Sequence, residues 1–211
     1  MKAFNPLPIL LASMLLAACE IRIGGGEDTT QVEEEHAEEM AGEHEAGPAN
    51  VTRESSSEAK IASALSAAPS VVSSDATVLD WPASASEAPA LLREGSNEWA
   101  CFPSQYHTPG HDPMCFDGAA MSWAGAWLTQ QEPDLQSMGL SYMLEGSYDN
   151  SNTDPFAPVP PDDEFVVTGP HVMIFPVDAT SLDGMSTDHT TGEPYVMFQG
   201  TPWAHLMMPT N

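Results

Sequence analysis

From about residue 59 onward the apolar residues come in short runs, each closed by a cluster of Gly, Pro, Asp or Asn, and this punctuation restricts the fold more than any other feature. Runs of that length between turn residues read as strands. The expected strands are Ala76–Trp81, Ala90–Arg93, Trp99–Phe102, Met138–Leu144, His171–Phe175, Tyr195–Phe198 and Ala204–Met208, with Gly95-Ser96-Asn97 turning the chain into Trp99. Ser57 and Glu58 can open a short helix through Leu65. Asp117 can cap another, which carries Met121, Ala124, Trp127 and Leu128 at spacings of three and four and ends before Pro133. The segment 146–163, rich in Asn, Asp and Pro, reads as a long loop. Strands outnumber helices and the connections are too short for repeated crossovers. The expected fold is therefore α+β, a mostly antiparallel sheet with one or two short helices packed on it.

The amino-terminal part has a different texture. Lys2, an apolar stretch from Phe4 to Leu16 and the small residues Ala17 and Ala18 make the charged start, short apolar core and cleavage site of a secretory signal, too short to span a bilayer. The run Leu16-Ala17-Ala18-Cys19 resembles the lipobox of bacterial lipoproteins, and the resemblance implies cleavage before Cys19, diacylation of its sulfur and acylation of the new amino terminus. More than one acyl chain gives a stable anchor, since each buried methylene adds about 0.8 kcal/mol. From Glu20 to about Glu58 the chain is Gly, Glu, Ser and Ala with a like-charge block at Glu33-Glu34-Glu35-His36-Ala37-Glu38-Glu39. Such a segment cannot bury a core and is expected to be a disordered acidic tether, with a root-mean-square span of roughly 35 Å. The expected organisation is thus a signal peptide at 1–18, lipidated cysteine and linker at 19–58, and a single globular domain at 59–211, displayed in the cell envelope on the periplasmic side or at the cell surface.

With Asp+Glu 31 against Lys+Arg 5, the chain repels phosphate backbones and anionic headgroups. A nucleic-acid function is excluded, and membrane attachment rests on the lipid alone. No Lys or Arg follows Arg93, so the acidic bias extends through the folded part. Within that part, Asp80-Trp81-Pro82, Asp112-Pro113-Met114-Cys115, Asn152-Thr153-Asp154-Pro155-Phe156, Pro170-His171-Val172-Met173-Ile174 and Gly200-Thr201-Pro202-Trp203-Ala204-His205 resemble a group of uncharacterised exported bacterial proteins. That resemblance implies a shared fold and brings no activity, cofactor or catalytic residue with it.

Several constellations carry candidate chemistry. Cys101 and Cys115 are the even remainder once Cys19 is lipidated, and an oxidising compartment favours a disulfide between them, contributing about 3 kcal/mol. The competing reading joins them to His107 and His111 as a zinc site, although Pro109-Gly110 keeps those histidines off a common helix face. His171-Val172-Met173 and His205-Leu206-Met207 repeat one spacing on two expected strands. Residues two apart point to the same face, so paired strands would gather His171, Met173, His205 and Met207 into a set suited to copper. The plain alternative is that these methionines fill the core. Asp149-Asn150-Ser151-Asn152-Thr153-Asp154 and Asp162-Asp163-Glu164 offer hard oxygens but lack the Gly and Glu of an EF-hand loop, and Asn/Asp turns explain them. No nucleophile elbow, metalloprotease helix, phosphate loop or dinucleotide fingerprint is present. His107, His111 and Asp112 remain as acid/base candidates in one loop.

The sequence requires no cofactor. Its expected role is a lipid-anchored binding or envelope-interaction module with a protein or small-molecule partner. The alternative is a copper-handling protein or a histidine-dependent hydrolase, which an open pocket lined by His107, His111, His171 or His205 would favour.

Overall fold

A computed structural model describes residues 56–161 and 164–210, all within one compact unit, Ala46–Asn211. The signal segment, Cys19 and the linker up to residue 55 lie outside the described residues. Helix α1, Ser57–Ser66, begins where the sequence signals place it: Ser56 is extended and its hydroxyl accepts the Ala59 amide at 3.1 Å. Such a cap satisfies one of the amides a helix start leaves open. Pro69 then sets the start of a single further turn, α2, Ser70–Ser73. Helix α3, Gly118–Leu128, is capped by Asp117, which accepts the Ala120 amide at 2.8 Å with one carboxylate oxygen and the Leu140 amide at 2.9 Å with the other. One side chain thereby starts the helix and ties it to the sheet beneath.

The strands are β1 Thr77–Asp80, β2 Ala90–Arg93, β3 Ala100–Phe102, β4 Met114–Phe116, β5 Gly139–Met143, β6 Ser147–Asp149, β7 Val166–Thr168, β8 His171–Phe175, β9 Tyr195–Met197 and β10 His205–Pro209. Eight of them form one sheet in the order β2-β1-β3-β4-β5-β8-β10-β9, and β6 with β7 forms a separate ribbon. All pairings are antiparallel except that of β1 with β3. The exception has a topological cause. The chain leaves β2, passes over the end of β1 and lays β3 on its far side in the direction of β1. Gly95 makes that crossing, where an added β-carbon would stand 2.2 Å from the Thr77 amide nitrogen, closer than any side chain allows. The Arg93 guanidinium donates to the carbonyls of Ser73 and Ala76 beside it.

Alternation along the strands sorts the core into two faces. One carries Phe102, Phe116, Met143, Met173, Phe175, Tyr195, Met197 and Met207 against Ala120, Trp123 and Ala124 of α3. Gly139 lets α3 approach, since a β-carbon there would lie 2.6 Å from the Ala120 amide. On the opposite face Val78, Cys101 and Cys115 meet Ala64, Ala67 and Ala68 from α1 and its end. Farther along that face Val196 and Ala204 are covered by Leu182, from a 3-10 turn at Ala179–Leu182. No helix among the described residues is long and apolar enough to cross a membrane.

Cys101 and Cys115 sit directly opposite each other in β3 and β4 and are joined by a disulfide, with alpha carbons 4.0 Å apart. That separation is shorter than the usual 4.4 Å lower limit, and the two residues are directly opposed across neighbouring strands. With both sulfurs in the bond, the zinc set with His107 and His111 has no thiolates to offer. Strand β4 carries no sequence signal of its own, because three residues after a His-Asp-Pro cluster show no alternation. The segment 146–163 is also not loop throughout: its start forms β6, a polar strand that pairs with β7.

Candidate functional site

A cleft of about 490 Å³ opens at one end of the main sheet. Four separate stretches build it: Trp123 of α3, Glu132 to Leu135 after that helix, Pro176 to Asp183 after β8, and Gly200 to Ala204 before β10. Glu132, Asp178 and Asp183 supply its carboxylates, Thr180 and Thr201 its hydroxyls, and Trp123 and Leu135 its apolar wall. Gly200 lies at φ 77° in the turn leading into this wall, a conformation glycine adopts without penalty. Asp178 caps the 3-10 turn, accepting the Thr180 hydroxyl at 2.8 Å and the Thr180 amide at 2.9 Å. Those two bonds hold its carboxyl below the ordinary range, so it is anionic at neutral pH. No Lys or Arg follows Arg93 to neutralise this wall.

Trp123 connects the cleft to the interior. Its ring stacks on Trp127 at 6.4 Å and contacts Phe175 at 4.5 Å and His205 at 5.1 Å. The ring is 7% exposed, and its indole N–H has no hydrogen-bond partner among the described residues. Among the cleft residues, Gly200, Thr201, Pro202 and Ala204 fall in a stretch singled out from the sequence, to which the resemblance assigned no role. The lack of Lys and Arg after Arg93 gives this wall its acidic bias and did not mark its place.

The His/Met triplets lie where period two places them. Strands β8 and β10 are neighbours, and His171, Met173, His205 and Met207 share one face and are all buried. The register, however, opposes Met173 to Met207 and His171 to Pro209, while His205 pairs with Met197 of β9. The methionines meet and the imidazoles stand at opposite ends, four residues or roughly 13 Å apart along the strands. His205 is enclosed by Trp123, Phe175 and Phe198. Each histidine donates its Nδ1 proton to a backbone carbonyl, His171 to Gly169 at 2.7 Å and His205 to Trp203 at 3.0 Å. Burial pushes both imidazoles down to about 4, so they are neutral at pH 7.

Close by, Tyr195 shares a 2.9 Å hydrogen bond with Thr168 of the ribbon, and burial pushes its phenol up to about 12. Burial likewise pushes the Asp149 carboxyl up to about 6, against a hydrogen bond from Ser147.

The acidic loop is built of turns. The Ser151 hydroxyl accepts the Thr153 and Asp154 amides, and Asp154 accepts that of Phe156. Among the described residues no group of three or more His, Cys, Asp or Glu is placed to hold a metal; Asp162 and Asp163 lie outside them. His107 lines a pit of only about 50 Å³ beside Asp149 and Asp154. His111 has the Ser104 and Ser66 hydroxyls at its two ring nitrogens, and buried Asp112 accepts the Gln105 amide and the Thr108 hydroxyl. These contacts brace the 103–113 loop. Neither His107, His111, His171 nor His205 lines the large cleft.

Comparison with protein families, with characterised proteins and with solved structures finds no match.

Proposed function

We propose that this chain is an extracytoplasmic binding module, held to a membrane by lipid on Cys19, whose cleft takes a small organic cation. The observation that carries the reading is the cleft itself, about 490 Å³ in volume with Glu132, Asp178 and Asp183 on its walls. That volume falls within the range of small-molecule sites. In a chain with no Lys or Arg after Arg93, the field in such a cleft repels anions and concentrates cations. Because these carboxylates are not gathered into a metal-holding group, an extended cation with separated charges suits them better than a bare ion. An amine that places one ammonium near Asp178 and another near Glu132 or Asp183 is the simplest such ligand. The lipid anchor would keep the module at the membrane surface.

Calorimetric titration of the mature domain with putrescine and spermidine tests this reading. Saturable binding at one ligand per chain is expected, weakened about tenfold in Glu132→Gln/Asp183→Asn, which removes two ion pairs of the strength usual at partly screened sites. An equal loss in Glu193→Gln, which does not line the cleft, would show that net charge alone does the binding and would end the proposal.

The anchor has its own test. Cys19→Ser is expected to leave the chain without acyl groups, and mass spectrometry that finds the same lipid mass on this variant would refute attachment at that residue.

A further inference from the structure

We propose a second, buried site on the face of the main sheet that α3 covers, where His171 Nε2 and the thioethers of Met143, Met173 and Met207 take one Cu(I) ion. The argument begins with register and is independent of the cleft. Met143 of β5 lies directly opposite His171 of β8; Met173, two residues on, lies between Ser141 of β5 and Met207 of β10. These side chains occupy alternate positions of three adjacent strands and are all buried, at 0% exposure for His171, 1% for Met207, 3% for Met143 and 7% for Met173. Directly opposed side chains in a sheet start about 5 Å apart, and diagonal neighbours about 7 Å. Three flexible thioethers therefore stand within reach of one imidazole. His205, on the far side of Met173 and Met207, is replaced in this set by Met143.

The second observation concerns the imidazole. Its Nδ1 proton is committed to the Gly169 carbonyl at 2.7 Å, which leaves the lone pair on Nε2. That nitrogen is buried and has no hydrogen-bond partner among the described residues. A buried acceptor left unpaired costs about 1–3 kcal/mol and asks for an explanation. Metal-bound histidines commonly donate the other ring N–H to a carbonyl in this manner, which fixes the tautomer and aims the lone pair. One imidazole with three thioethers is a soft, uncharged ligand set that selects Cu(I) over zinc, which prefers thiolate, carboxylate and several imidazoles. A monovalent ion is also less costly to desolvate than a divalent one.

The competing occupant is a water molecule shared between His171 Nε2 and the Ser141 hydroxyl, which is also buried and unpartnered and lies diagonal to it. The test gives the mature chain Cu(I) buffered by bicinchoninate under anaerobic conditions. The expected result is one equivalent withdrawn per chain, with X-ray absorption showing sulfur and one nitrogen around copper. Met143→Leu/Met173→Leu, which conserves core volume, is expected to lower the affinity at least about tenfold. The absorption spectrum of the unmutated chain decides the point even if that variant folds poorly. Copper left wholly with the chelator, or bound with no sulfur neighbours, overturns the proposal and leaves the water. Binding lost in His36→Gln/His44→Gln but retained in the leucine pair also overturns it, by moving the ion to the amino-terminal segment.

Discussion

Lowering the pH from 7 to 4 is expected to remove roughly 3 to 4 kcal/mol of folding stability, and about 6 kcal/mol in the variant Asp149→Asn. His171 and His205 are each held down to about 4 by burial, against an ordinary 6.5. Between those values the unfolded chain takes up protons that the folded chain refuses. The stability these neutral imidazoles contribute is therefore complete above pH 6.5, and it is lost as pH falls toward 4, at about 3 kcal/mol each. Asp149 acts with the opposite sign. Its carboxyl is pushed up to about 6 from 3.8, so the folded chain holds a proton that the unfolded chain releases. Its burial costs most above pH 6 and is relieved on acidification, which offsets about 2 kcal/mol of the histidine loss. Asparagine removes that offset. It is also expected to raise stability near pH 7.5 by about 1–3 kcal/mol, since an uncharged amide replaces a partly buried carboxylate. Urea denaturation of both proteins at pH 4, 5, 6 and 7 measures these differences. With domain stabilities commonly about 5–15 kcal/mol, the variant at pH 4 is expected near the edge of unfolding. Equal stability at pH 7 and pH 4 in both proteins would contradict the burial of the two imidazoles.

The second large effect is that of the disulfide. Cys101→Ala/Cys115→Ala is expected to destabilise the domain by about 3–5 kcal/mol and to lower its Tm by roughly 6–15 °C. Loop closure over a sequence separation of 14 accounts for about 3 kcal/mol of this. The remainder comes from packing, because both cysteines are fully buried between α1 and the sheet, against Val78 and Ala64. The double variant is the appropriate comparison, since a single replacement would leave a reactive thiol. Native protein is also expected to resist a mild thiol reductant, which has no path to a fully buried bond, and to be reduced rapidly in urea. A change in Tm under about 2 °C would show that the bond contributes little to the folded state.

Much of the architecture was legible because its signals are local. Short apolar runs between turn residues marked β2 and β8 to the residue and most other strands to within one or two positions. Asp117 and the Ser57-Glu58 pair announced helix starts through local chemistry that depends on three or four consecutive residues, although the capping hydroxyl is that of Ser56. The disulfide followed from compartment and count. What failed to show was set by longer range. The parallel pairing of β1 with β3 depends on the path of the chain across Gly95, and β6 is polar because it belongs to a ribbon outside the main sheet. Period two was enough to put His171, Met173, His205 and Met207 on one face. Register was not in the sequence, and register decides that Met173 meets Met207 while His171 meets Met143 and Pro209. The cleft was the least visible feature, since Trp123, Glu132, Asp178, Asp183 and Thr201 come from four stretches that share no spacing.

The proposal that this cleft binds an organic cation is tested most directly at Trp123. The chain has Trp 5, so its indole N–H region in a nitrogen-proton correlation spectrum is sparse enough to follow residue by residue. The Trp123 N–H, which makes no hydrogen bond to any described residue, is identified by its disappearance in Trp123→Phe. Added spermidine is predicted to shift that resonance along a saturable curve while the Trp99 signal, on the opposite face of the sheet, stays in place. A Trp123 resonance that does not move, or that moves in proportion to ionic strength together with the others, would contradict the account.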